Sequence, residues 1–297
     1  PSGALAKEGV LSPALPRLTR KLTQCYDRDM RHFLLAGLGT IFLFIFTAQP
    51  IQASATGAYQ DYLYQFDLYR AKYTDFKIAK NEYEKFKTLT SATDALSKTR
   101  IMLSQRDQLL RAYLFLLNEK LNEDKGLGSS DKQLYQTLIR NEVTFLENHS
   151  QLVPSVGSLS DAMTVSQQLE SHYLVLQASI RQTIVALHLG QLALLASQYD
   201  ILVIQAKNLI TANRNLLPAE KQAIVDRWLL QITNKRSLFA QKYDSLVRAN
   251  AQFKGPSIDE LDRSLAEMQK NISEARQYLA EGAAFIGELL NSLKTAS

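Results

Sequence analysis

Residues 258–293 read IDELDRSLAEMQKNISEARQYLAEGAAFIGELLNSL. Within this stretch Ile258, Leu261, Leu265, Met268, Ile272, Ala275, Leu279, Gly282, Ile286, Leu289 and Leu293 recur at steps of three and four. That spacing puts one apolar stripe on an α-helix and matches no strand, whose faces alternate every two residues. Gly255-Pro256 breaks the chain just upstream, and Ser257 with Glu260 has the spacing of a capping box. A helix over 258–295 is therefore predicted.

The same period runs back along the chain. Tyr59, Tyr62, Phe66, Tyr69, Tyr73, Phe76, Lys80 and Tyr83 form an aromatic seam on a helix over about 58–88. Ser91-Ala-Thr-Asp94 reads as a turn, and Leu96, Leu103, Leu110 and Leu117, seven apart, mark a second helix over about 94–122. NEDKGLGS at 122–129 is a polar loop; Ser130 and Gln133 suggest a capping box for a third helix from about 131 to 151. A fourth runs over about 160–213, with Tyr173, Ile180, Leu187, Leu194 and Ile201 on its heptad line and Gly190 inside it. Leu217-Pro218 punctuates, and a fifth helix covers about 218–252. The expected fold is all-α: an elongated antiparallel helical bundle of about six long, coiled-coil-like helices. The fourth is twice the length of its neighbours. It either runs straight through and is shared by two bundles, 56–185 and 186–297, or folds back at Gly190. The continuous form is favoured, because one glycine costs a helix only about 1 kcal/mol.

Composition agrees. In 297 residues there are 12 Gly and 7 Pro, few enough to disfavour a turn-rich β fold. One Cys excludes an intrachain disulfide framework, and four scattered His disfavour a zinc centre.

Ahead of the first helix lies a segment of another kind. Met30-Arg-His32 is basic, FLLAGLGTIFLFIFTA at 33–48 carries no charge, Pro50 follows, and Ala53-Ser-Ala55 is an A-x-A site. These are the ordered parts of a secretory signal peptide, 30–55, cleaved in the region of Ala53 and Ala55. An uncleaved membrane anchor is the alternative, with membrane contact only through 33–51. Sixteen residues reach about 24 Å, short of a roughly 30 Å hydrocarbon core. Arg17, Arg20, Lys21, Arg28 and Arg31 precede the apolar run and the next basic residue is Arg70, so the remainder is expected on the exported side: periplasmic, cell-surface or secreted. Pro1 stands first in the chain, and Met30 is read as the start, with 1–29 as upstream sequence or a cytoplasmic tail. The basic excess sits largely in 1–55. The remainder has a formal net of +2 against +5 for the whole and no Lys/Arg cluster, so no nucleic-acid partner is expected.

Candidate functional residues are few. Tyr59, Tyr62, Tyr64, Tyr69 and Tyr73 make a candidate contact surface, although a tyrosine seam at helical spacing is first of all a packing device. Tyr64 falls off the stripe and is the better exposed contact. Residues 182–206 hold one charge, Asp200. A helix buried at the bundle centre is the favoured reading there, with a self-association surface and a second membrane span as alternatives. His188 on that helix is expected to be buried and hydrogen-bonded. His149 and His172 have no i, i+4 partner with ligand chemistry. No nucleophile elbow, zinc-protease helix, P-loop or dinucleotide fingerprint is present. The expectation is no catalytic, metal or cofactor site, and a non-enzymatic exported protein acting through protein contact or self-association. A ligand-binding sensor or carrier domain, with a pocket between the helices, is the alternative.

Overall fold

A computed structural model of the protein describes residues 54–294. The upstream segment 1–29 and the expected leader 30–55 lie outside the described residues, apart from Ser54 and Ala55. Among the described residues there is no strand. Six long helices follow one another: α1 (Ala55–Phe86), α2 (Leu89–Glu123), α3 (Ser129–Leu152), α4 (Leu159–Asn213), α5 (Ala219–Ala251) and α6 (Ile258–Lys294). Short 3-10 turns at Val153–Ser155 and Arg214–Leu216 follow α3 and α4.

The helix ends show where side chains replace missing intrahelical partners. Ser54 caps α1 by accepting from the Gly57 N–H, and Ala55 N–H donates to Glu123 Oε1 at 2.8 Å. The link between α1 and α2 is shorter than expected. Lys87 takes a left-handed conformation (φ 50°), Thr88 caps α2, and Ser91 bonds back to the Thr88 N–H. Ser91 to Asp94 is thus first-turn helix, not a turn, because a serine fills the box position usually held by Glu or Gln. The α3 start also differs: Gly128 is its N-cap, with no side-chain bond, so the Ser130–Gln133 box is not used. At α6 the serine half of the expected box is made, Ser257 Oγ accepting from the Glu260 N–H, while Glu260 Oε2 accepts from Arg263.

Helices adjacent in sequence pack antiparallel. α1 rests on α2, while α2, α3 and the first part of α4 pack on one another. Gln65 meets Gln105 and Tyr62 meets Tyr113 across α1–α2, and Arg111 meets Glu147 across α2–α3. The rest of α4 packs with α5 and α6. Asp200 pairs with Arg236, Lys242 with Glu274, and Trp228 lies against Phe285. The described residues all belong to one compact unit. Leu261, Leu265, Met268, Ile272, Ala275, Leu279, Ile286 and Leu289 of the α6 seam are all buried, each large one stabilising by roughly 1.5–3 kcal/mol. Gly282 belongs to that seam because Tyr199 fills its space: a methyl there would overlap the phenol, whose hydroxyl donates to the Ile232 carbonyl.

Helix α4 is continuous over 55 residues, about 80 Å, straight through Gly190. The α2–α3 loop sits on the helix backbone there. A methyl on Gly126 would overlap the Gly190 carbonyl, and one on Gly190 would overlap the Asp124 carboxylate. Asp124 is itself fixed, accepting from the Gly126 and Leu127 N–H groups at 2.9 and 2.7 Å. Gly190 is therefore a contact point for the loop rather than a break.

Candidate functional site

The tyrosines of α1 divide by position on the helix. Tyr62 and Tyr69 are buried in the α1–α2 seam, Tyr59 and Tyr73 are half-buried, and Tyr64 alone of the five is exposed, at 61%. Tyr62 packs on Tyr113, and Tyr73 on Tyr69 and Phe76. Ala55, from the expected cleavage region, is buried at the start of α1, and Ala53 lies outside the described residues.

The titratable side chains that come together are others. His149 of α3 is buried with Nδ1 2.7 Å from Asp107 Oδ2 of α2 and Nε2 2.8 Å from the Val165 carbonyl of α4. A carbonyl only accepts, so Nε2 carries hydrogen, and a further proton lies between Nδ1 and Oδ2. Two helical turns away, Glu142 Oε2 is 2.7 Å from His172 Nε2, and its Oε1 accepts from Ser179 Oγ at 2.9 Å. Phe145 stacks on the His172 ring, with centroids 3.7 Å apart, and 6.1 Å from the His149 ring. Two imidazole–carboxylate pairs thus flank one phenyl ring.

A further polar layer lies where the two groups of helices meet on α4. Arg181 is fully buried; Nε and Nη2 donate to Asp262 Oδ1 of α6 at 3.1 and 2.6 Å, and Nη1 donates to Gln177. Asn250 of α5 is also buried, donating to Tyr135 of α3 and to the Gln182 carbonyl. The Tyr113 and Tyr173 hydroxyls are buried and have no hydrogen-bond partner among the described residues. Burial pushes both phenols up, while the charge of Arg181 pulls them back slightly.

Chemically the imidazole–carboxylate cluster joins helices. Ser179 Oγ donates its hydrogen bond to Glu142 rather than to an imidazole, so serine, glutamate and His172 form a chain that ties α3 to α4. Among the described residues no three His, Cys, Asp or Glu side chains are grouped to hold a metal ion. Sequence reasoning missed these pairs because the partners are 42 and 30 residues apart. The signal was present: Tyr135, Ile139, Glu142, Leu146, His149 and Val153 form one three–four seam, in which a Glu and a His take core positions.

His188 is half-buried; its Nδ1 is shielded and has no hydrogen-bond partner among the described residues. Burial is the main cause that lowers its pKa, Gln191 partly offsetting and Arg276 adding. The unfolded chain then takes up a proton that the folded one refuses. This stability is complete above the ordinary histidine value of about 6.5 and is lost as pH falls below it. His188→Gln is expected to lose less stability than the parent between pH 7 and pH 5. Urea midpoints at the two pH values measure the difference.

The apolar run 182–206 does not stay buried along its length. Its apolar residues are buried or half-buried to Leu192, after which Leu194, Leu195, Ile201, Leu202, Ile204 and Leu209 are 38% to 58% exposed. The central-helix expectation thus holds for the first part and fails beyond it, because α2 ends and α3 begins near Gly190 and α5 and α6 cover only the other side. By length and composition α4 is also apolar enough to cross a membrane, as no other helix is among the described residues. A groove of about 350 Å³ lies between the end of α5 and the start of α6. Its lining includes Leu246, Phe253, Glu267 and Met268, and none of the α1 tyrosines or His188.

No family model, curated protein or solved structure matches the chain.

Proposed function

We propose that the chain is an exported, non-enzymatic helical-bundle protein that works through protein contact, as an envelope scaffold, spacer or attachment element. One observation carries the reading: an uncharged stripe of exposed Leu and Ile on the free side of α4, between Leu194 and Leu209. Apolar patches on a rigid scaffold mark contact sites more often than isolated exposed side chains do. Export rests on the basic, apolar and A-x-A order of residues 30–55. The test places a photo-reactive residue at 201 or at 209 in cells. A protein adduct at these sites, absent when the probe stands at Lys207, supports the reading; no adduct from a normally folded, exported chain overturns it. N-terminal sequencing gives Ser54 or Thr56 if the leader is cleaved.

A second reading, a ligand-binding sensor or carrier, draws on the buried Tyr113 and Tyr173 hydroxyls near Arg181, which have no hydrogen-bond partner among the described residues. It predicts a thermal shift with a small aromatic ligand carrying a hydrogen-bond acceptor.

A further inference from the structure

The free stripe of α4 has an internal order. Gln191, Leu195, Gln198, Leu202, Gln205 and Leu209 follow at steps of four, three, four, three and four, and Leu194 and Ile201 flank them. At 100° per residue these lie on one side, and Asp200 and Lys207 lie roughly opposite. Asp200 is held there by Arg236. The stripe continues the line that α2 and α3 cover upstream, through Leu169, Tyr173, Leu176, Ile180 and Thr183, all buried.

We propose that a second copy of this chain covers the stripe, laying its own α4 antiparallel on the first. The proposal deepens the protein-contact reading by naming the partner. Three observations select it. First, the stripe has no charge to recruit a charged partner. Three amides at seven-residue intervals would be stranded against lipid or a purely aliphatic surface, whereas a second copy brings matching amides. Second, the open length is bounded. The Asp124–Gly126 loop closes it at Gly190, and α4 ends at Asn213, so its midpoint falls between Ile201 and Leu202. Third, the pattern is symmetric about that midpoint. Reversal brings Leu202 onto Leu202 of the second copy, Leu195 onto Leu209, and Gln198 onto Gln205, each within one residue. A parallel copy would run the upstream part of its α4 into the space that α2 and α3 already fill. The pairing spans about 36 Å of helix. Amides in a seam lower affinity and fix register, so a weak but specific dimer is expected.

Disulfide crosslinking of the full chain in the cells that make it tests this, with Cys25→Ser as background. Leu202→Cys is expected to give a species of twice the mass at least tenfold faster than Lys207→Cys. Leu195→Cys and Leu209→Cys should stay monomeric singly, since like residues stand about 21 Å apart, and should link when both are present. All four sites are exposed, so folding is not at stake. Equal rates at 202 and 207 overturn the proposal. So does self-linking at 195 as fast as at 202, which means parallel pairing, and so does the absence of a dimer at every site. An adduct with a different protein overturns it as well, while leaving the protein-contact reading in place.

Discussion

His149→Leu is expected to cost about 3–5 kcal/mol and lower the melting temperature by about 10 °C or more. The leucine fills most of the ring's volume, so a cavity is not the main term. Asp107 decides the outcome. Its carboxylate is fully buried, Oδ2 has His149 as its hydrogen-bond partner, and Oδ1 has none among the described residues. Removing the imidazole leaves a charge in the core that must either stay uncompensated or take up a proton. The Val165 carbonyl loses its donor in the same step. A double replacement, Asp107→Leu with His149→Leu, should recover most of the loss, because apolar side chains of similar volume commonly substitute for a buried ion pair at little cost. Denaturation of the two single variants and the double, read as a cycle, gives the coupling. A single-variant loss below about 1 kcal/mol, the scale of an exposed pair, would mean that water reaches the carboxylate.

The arrangement explains what was legible in the sequence and what was not. The α6 seam could be read residue by residue, because burial selects apolar side chains at a fixed period and its eight buried members needed no knowledge of the partner helix. The length of α4 could be read too, since one glycine is too weak a breaker to end it. Helix starts were less clear. Thr88 with Ser91, and Gly128 with no side-chain cap, use weaker or backbone solutions that leave little pattern. The polar pairs required knowledge of register. Asp107 sits between Leu103 and Leu110 at a core position of α2, and nothing in that stretch says that His149 will face it. Such residues contribute less to net stability than to which helix faces which, and at what height. The free side of α4 was hidden for a related reason. Its apolar residues have the same period as the buried ones upstream, and only the end of α2 and the start of α3 near Gly190 separate them.

The second large effect concerns the layer where the two groups of helices share α4. Asp262→Ala is expected to cost about 3 kcal/mol, near the lower end for breaking a buried pair, because the carboxylate itself is half in water. The asymmetry of the pair makes the argument. The Arg181 side chain is 0% exposed and that of Asp262 55%, so the two single variants should differ in severity. Losing the aspartate leaves a guanidinium with no route to solvent, held by Gln177 alone on its other edge. It cannot shed its proton to escape the cost. Losing the arginine instead leaves an acid that water can solvate, so Arg181→Met should cost less, about 1–2 kcal/mol. Arg181→Met with Asp262→Ala should be more stable than Asp262→Ala alone. Thermal unfolding of the three variants at one pH orders them, and equal losses for the two singles would show that the guanidinium is hydrated. If the layer also holds α6 to α4, Asp262→Ala should raise amide exchange first in the opening turns of α6, around Leu261 and Leu265. There the loss of the carboxylate frees the helix start, while the Tyr199–Gly282 contact farther along still grips it.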